Sequence, residues 1–123
     1  MPAVIVIPSN QALPEGSSGT LSATIRDDAG AAIDTSAVTG TTATLHDHKG
    51  AVVNTRNAQD VYGVNGGSWA SGGVFTLLLT PADTQVVSGP EFQLRKLGLI
   101  VTHSSGKKAP QEVWFYVRRL STI

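Results

Sequence analysis

The sequence contains no cysteine. Disulfides and thiolate metal centres are therefore excluded, and nothing ties the chain to an oxidising compartment. Charge is scarce: Asp, Glu, Lys and Arg make up 15% of the 123 residues, against about 25% in an average soluble domain. Nine basic and nine acidic residues cancel, which leaves no net field to attract nucleic acid or an anionic membrane, and neither is expected as a partner. No run approaches the ~18 apolar residues of a membrane-spanning helix. The opening MPAVIVIPSN lacks the basic lead and long apolar stretch of a secretory signal. Long helical periodicity is missing too, so the crossover helices of an α/β fold have no source.

What is present is a chain of one-domain length with a 41% hydrophobic fraction, enough to bury a core without staples. Short β-type runs alternate with Gly, Pro and Asp turns. Ala3–Ile7 is β-branched and apolar, and residues 1–17 read as an N-terminal arm or first strand ahead of a domain at 18–123. In Thr20–Arg26, Leu21, Ala23 and Ile25 alternate with Ser22 and Thr24. Thr41–Asp47 and Ala51–Thr55 are spaced as a hairpin across His48-Lys49-Gly50. Asn57–Gly73 is the least regular stretch, and Val74–Thr80 is an apolar strand. Thr80-Pro81-Ala82-Asp83 has the chemistry of a helix start, with Thr80 as N-cap and Pro81 in the first helical position. In Glu91–His103, Phe92 and Leu94 share one face while Leu97, Leu99 and Val101 share the other, which predicts a bulge near Arg95-Lys96. In Gln111–Arg119, Val113, Phe115 and Val117 alternate with Trp114, Tyr116 and Arg118. The expected architecture is all-β: an immunoglobulin-like antiparallel β-sandwich of seven or eight strands with one short helical turn.

Candidate chemistry is thin. In a strand, His46 and His48 share a face, and His103 could join them on a metal. A polar strand end entering a turn accounts for them more simply, and no metal or other cofactor is expected. The serines sit in turns, and Asp27, Asp28, Asp34, Asp47 and Asp83 have turn or cap positions. No nucleophile, paired-carboxylate or phosphate-loop arrangement emerges, so no catalytic residue is expected. The residues that invite a partner are apolar and aromatic: Val4 and Val6 in the first run, Tyr62 and Trp69 in the glycine-rich loop, and Trp114 and Tyr116 opposite the core face of the last strand.

The turn Asp28-Ala29-Gly30-Ala31-Ala32-Ile33-Asp34, the hairpin Asp47-His48-Lys49-Gly50, the glycine-rich loop and the corner LTPADTQVV before two closing strands follow one order over roughly residues 18–120. In that order the chain resembles Ig-like domains of tailed-bacteriophage virion proteins, such as the baseplate upper protein N-terminal domain and similar head or tail components. The resemblance implies a non-enzymatic virion protein, made in the host cytoplasm, whose partners are capsid or tail subunits. A single small sandwich suits a capsid decoration (cement) protein. The low charge, the apolar N-terminal run and the aromatics imply a homo-oligomer, with a trimer the form expected at local threefold positions. A carbohydrate-binding or adhesion module, with Tyr62, Trp69 and Trp114 stacking on sugars, is the alternative.

Overall fold

The computed structural model describes residues 3–7, 11–27, 30–86 and 90–119. Their strands are β1 (Ala3–Val6), β2 (Leu13–Pro14), β3 (Gly19–Thr24), β4 (Val38–His46), β5 (Gln59–Asp60), β6 (Gly67–Ala70), β7 (Val74–Leu79), β8 (Phe92–His103) and β9 (Lys108–Arg118). They form two sheets. The larger runs β1-β9-β8-β4-β5, with β2 also on β9, and the smaller runs β3-β7-β6. This is the strand order of an immunoglobulin-like sandwich with a short extra strand at one edge. The larger sheet is mixed and not purely antiparallel, because β1 and β2 both run parallel to β9.

Alternation builds the core between the sheets. Thr41, Ala43 and Leu45 of β4, Leu97, Leu99 and Val101 of β8, and Val113, Phe115 and Val117 of β9 face Leu21 of β3 and Phe75, Leu77 and Leu79 of β7. Two hydrogen bonds across the gap fix how the layers overlie. The Trp69 indole N–H donates to Thr41 Oγ1 at 2.9 Å, placing β6 over β4. The Gln111 amide donates to the Arg26 carbonyl at 3.2 Å, placing the end of β3 over β9. β5 and the β1/β2 pair therefore overhang the smaller sheet on opposite sides.

Several sequence expectations are corrected. The predicted bulge near Arg95-Lys96 is absent: β8 pairs β9 in unbroken register from Phe92↔Arg118 to Thr102↔Lys108. The inner positions at this end are taken by Gln93 and Arg95, both fully buried, while Phe92 turns outward. Carbonyls receive the Arg95 Nη groups and the Gln93 amide, while Arg95 Nε is buried without a partner. Arg95 Nη2 donates to the Gln85 carbonyl at 2.7 Å, and Gln93 Nε2 to the Pro90 carbonyl at 3.1 Å. Asn57–Gly73 is not one long loop, because it contains β5 and β6. Ala51–Thr55 forms only a bridge, His46↔Val52, before Asn54 and Thr55 turn away with positive φ. The segment after Thr80 is a turn, and the helical turn is instead a 3-10 helix at Thr35–Ala37, capped by the Asp34 carboxylate on the Ser36 amide. The Asp28-Ala29 tip, Ser88-Gly89 and the side chain of Val4 lie outside the described residues.

The connections are tied down by one buried ion pair. Arg56, 4% exposed, meets the fully buried Asp83 through paired bonds, Nε to Oδ1 at 2.7 Å and Nη2 to Oδ2 at 2.9 Å. The Asn54 amide and the Thr80 backbone N–H and hydroxyl complete the carboxylate's partners. Nη1 of Arg56 reaches Gln59 Oε1 and the Asn65 carbonyl. Burial by itself would raise the Asp83 pKa, but the hydrogen bonds from Arg56, Thr80 and Asn54, with the Arg56 charge, outweigh it and hold the carboxyl below its ordinary value. A carboxyl depressed in the folded state adds stability that is complete above the unfolded value of about 3.9 and is lost as pH falls through the folded value. Asp83→Ala is therefore expected to cost about 3–5 kcal/mol at neutral pH, because it strands a buried guanidinium. The variant should also lose less on acidification below about pH 4 than the wild type does. Urea unfolding at neutral and acid pH checks both expectations.

Candidate partner-binding surface

The outer face of the larger sheet brings together most of the apolar residues singled out from the sequence. Parallel pairing sets Val6 beside Trp114, and antiparallel pairing sets Trp114 beside Lys96 and Lys96 beside His46, so one row crosses four strands. In the next row Tyr116 pairs with Leu94, and two rows the other way Ile100 pairs with Pro110. Phe92 stands beyond Leu94, nearer the chain's corner. Val6, Phe92 and Ile100 are 54%, 41% and 39% exposed, while Leu94, Trp114 and Tyr116 are half-buried. Gly98 lies between Thr44 and Glu112, where a side chain would meet only the Thr44 carbonyl at 3.8 Å. The centre of this face is therefore low and flat.

Charge is held close to the aromatics. Lys96 Nζ sits 4.6 Å from the centre of the Trp114 ring, and the indole N–H donates to Glu112 Oε1 at 2.6 Å. The cation thus caps one ring face, and the carboxylate fixes the ring's edge. Arg118 bonds Glu91 at 2.9 Å and lies 5.9 Å from the Phe92 ring centre. Both partners are more than half exposed, so that pair orders the rim without adding much stability.

Trp69 and Tyr62 do not behave as loop anchors. Trp69 is on β6 facing the interior, its ring centre 5.2 Å from that of Phe75 and its N–H spent on Thr41. The alternation of Gly67, Ser68, Trp69 and Ala70 over one short strand was obscured in the sequence by the surrounding glycines. Tyr62 is 44% exposed, but its hydroxyl donates to the Val38 carbonyl at 2.9 Å, which lays the ring along the sandwich's end. Val61 beside it is fully buried against Gly67, where an added Cβ would come within 2.0 Å of the Val61 carbonyl oxygen. Tyr62 and Trp69 thus serve to close the sandwich end.

His46, Asp47 and His48 line an open cleft of about 410 Å³ with Gly50, Leu94 and Lys96. Asp47 is not turned toward a ligand. Its Oδ1 accepts from the Lys49 and Ala51 amides at 2.8 and 3.0 Å, shaping the turn. Burial pushes its pKa up, but those two amides and the charges of Arg95 and His48 more than compensate, and the carboxyl stays below its ordinary value. His103 pairs with Val38 at the far end of the β4–β8 ladder from His46. The structure does not bring the three histidines together, and among the described residues no group of three metal-ligating side chains assembles.

The inward position of Trp69 generates a direct expectation. Trp69→Ala should lower unfolding free energy by ~3 kcal/mol or more, as truncation of a packed aromatic does, and should leave Thr41 with an unanswered hydroxyl. Denaturant melts of the two proteins measure this. Comparison of the sequence with models of known protein families and with curated proteins finds no match.

Proposed function

We propose that this protein is a non-enzymatic structural protein of a tailed-phage virion, a capsid decoration (cement) protein or a head or tail component that acts through protein–protein contacts. Its partners in this reading are capsid or tail subunits, and it assembles as a homo-oligomer, with a trimer the expected form. The observation that carries the reading is the outer face of the larger sheet. Val6, Phe92, Ile100, Trp114 and Tyr116 lie there on one rigid surface, with Lys96, Glu112 and Arg118 set among them. Exposed apolar and aromatic groups set among charges that are already paired with them are the make-up of a protein contact surface. Such a face left in water would be an association hazard on a chain with so little charge. The resemblance in turn order to virion Ig-like domains points to the kind of assembly.

The glycan-binding alternative is less well supported. It needs aromatic ring faces open to a sugar. Trp69 has its ring inside, Tyr62 is bonded to the Val38 carbonyl, and one face of Trp114 is covered by Lys96.

The test is co-sedimentation of the purified protein with phage particles lacking it. Ile100→Glu and Val6→Glu change exposed side chains and should leave stability within about 0.5 kcal/mol of wild type. Both are expected to reduce particle occupancy about tenfold or more, because a charge is forced into an apolar part of the contact. Undiminished occupancy in both variants would remove this face from the reading. Failure of the wild-type protein to bind any particle, with binding on a glycan array, would favour the alternative.

A further inference from the structure

The smaller sheet ends at β3, and among the described residues no strand lies along its outer edge. The direction of its backbone groups follows from two hydrogen bonds. The Ile25 amide donates to the Gly73 carbonyl at 2.9 Å, toward the β7 side, and the Leu78 amide donates away from β3 to the Gly66 carbonyl at 2.8 Å. With the register Leu21↔Leu77 and Ala23↔Phe75, Leu21 and Ala23 spend their backbone groups on β7. Thr20, Ser22 and Thr24 therefore aim their N–H and C=O groups outward.

Natural edge strands are commonly blunted by a charge, a proline or a bulge. β3 has none of these. It reads GTLSAT, and its register with β7 is unbroken. Its threonines favour extended backbone, so the edge is flat and ready to pair.

A second observation lies beneath it. Since β3 lies over β9, the β1 and β2 strands that extend the larger sheet past β9 face a position beside β3 that no described strand fills. Ile5 and Ile7 pack on the core from there but remain half-buried, while the Leu13 side chain closes against the start of β3, within 3.1 Å of where a Cβ on Gly19 would stand. Val113 and Val117, the β9 residues in register with Ile5 and Leu13, are buried. On the opposite overhang the chain supplies its own cover, with Val61 fully buried and bonded to the Thr41 carbonyl. One side of the sandwich is closed by the chain itself, and the other has a backbone edge and an apolar floor with room for one strand that none of the described residues supplies.

We propose that the open edge of β3 binds an extended, uncharged segment of another polypeptide as a fourth strand of the smaller sheet. The segment pairs with the backbone of Thr20, Ser22 and Thr24 and lays alternate apolar side chains over Ile5 and Ile7. It spans about five residues, roughly 16 Å. It is uncharged because Gly19–Ile25 and Ile5–Ile7 contain no charged residue to receive a buried charge. A second copy of β3 does not fit the site. Pairing β3 with β3 about a twofold axis would drive each copy's overhanging β1 into the space beneath the other's β3, which β9 occupies. This assignment is independent of the virion reading.

The test uses the intact chain, labelled for NMR, and the capped peptide Thr-Val-Thr-Val-Thr-Val-Thr. Binding is expected to shift and protect the amides of Thr20, Ser22 and Thr24 and to shift Ile5 and Ile7. The same peptide with each Val replaced by Glu should not bind. Ser22→Pro removes an outward N–H without touching the ladder to β7, and Ser22→Lys adds an edge charge while keeping that N–H. Both are expected to weaken the peptide about tenfold or more, with each variant's fold checked by its own amide spectrum. Absence of binding to the wild type would overturn the proposal, as would shifts centred on β5, β6 or the outer face. Equal affinity in wild type and Ser22→Lys would also overturn it. Concentration-dependent dimers abolished by Ser22→Lys would assign the edge to a second copy, and the proposed occupant would be wrong.

Discussion

The sandwich depends on a charge pair that lies where apolar packing would ordinarily be expected. Arg56 follows β4 and Asp83 follows β7, so their bond joins the connections of opposite sheets at one end of the molecule. Burying the two ions costs free energy, and an isolated pair would be weak support. Here the cost is offset by near-complete satisfaction: Asp83 receives Arg56, Asn54 and Thr80, and Arg56 also reaches Gln59 and Asn65. The pair thereby settles the course of the chain from β4 through β5 to β6. With that course set, Val61 drops against Gly67, Trp69 turns inward to Thr41, and Tyr62 closes over the Val38 carbonyl.

How much of this the sequence carried depends on the range of the interaction. Alternation in Thr20–Arg26 and Gln111–Arg119 gave the right faces for β3 and β9, and Asp47 with Gly50 marked a turn that the structure forms through Asp47's bonds to Lys49 and Ala51. These are local effects. Asp83 looked like part of a helix start because Thr80-Pro81-Ala82-Asp83 has capping chemistry, and nothing local points to Arg56, 27 residues earlier. Leu94 and Phe92 misled for a related reason. The assumption that apolar residues point inward fails where Gln93 and Arg95 find carbonyls at the sandwich end. Parallel pairing of β1 and β2 with β9 joins the two ends of the chain, a contact no short-range pattern encodes. On the candidate surface, Trp114, Tyr116 and Val6 were found through strand parity and apolar character. Phe92 and Ile100 joined them only once the register of β8 was known.

The surfaces left over by this packing are uneven. Arg56 at the Leu45 end of β4, and Tyr62 and Trp69 toward its Val38 end, are held by hydrogen bonds that already have their partners. The outer face of the larger sheet keeps large apolar groups in water, and the edge of β3 keeps outward backbone groups without a described strand beside them. Both features are rigid, since they belong to strands and not to loops, and a rigid surface loses little conformational entropy on docking. A protein whose business is contact has use for such surfaces. The cleft at His46 and His48, by contrast, is open, and its carboxylate is already committed to the turn.

Polar bonds inside the sandwich lock the segment after Arg56 as firmly as the core, while no described strand pairs the β3 edge. Amide hydrogen exchange, read residue by residue on the isolated protein, tests this most directly. The Val61 and Leu45 amides, bonded to the Thr41 and Arg56 carbonyls, are predicted to exchange as slowly as those of central β8, and the amides of Thr20, Ser22 and Thr24 to exchange rapidly. Rapid exchange at Val61 and Leu45, or slow exchange along Thr20, Ser22 and Thr24, would contradict the account.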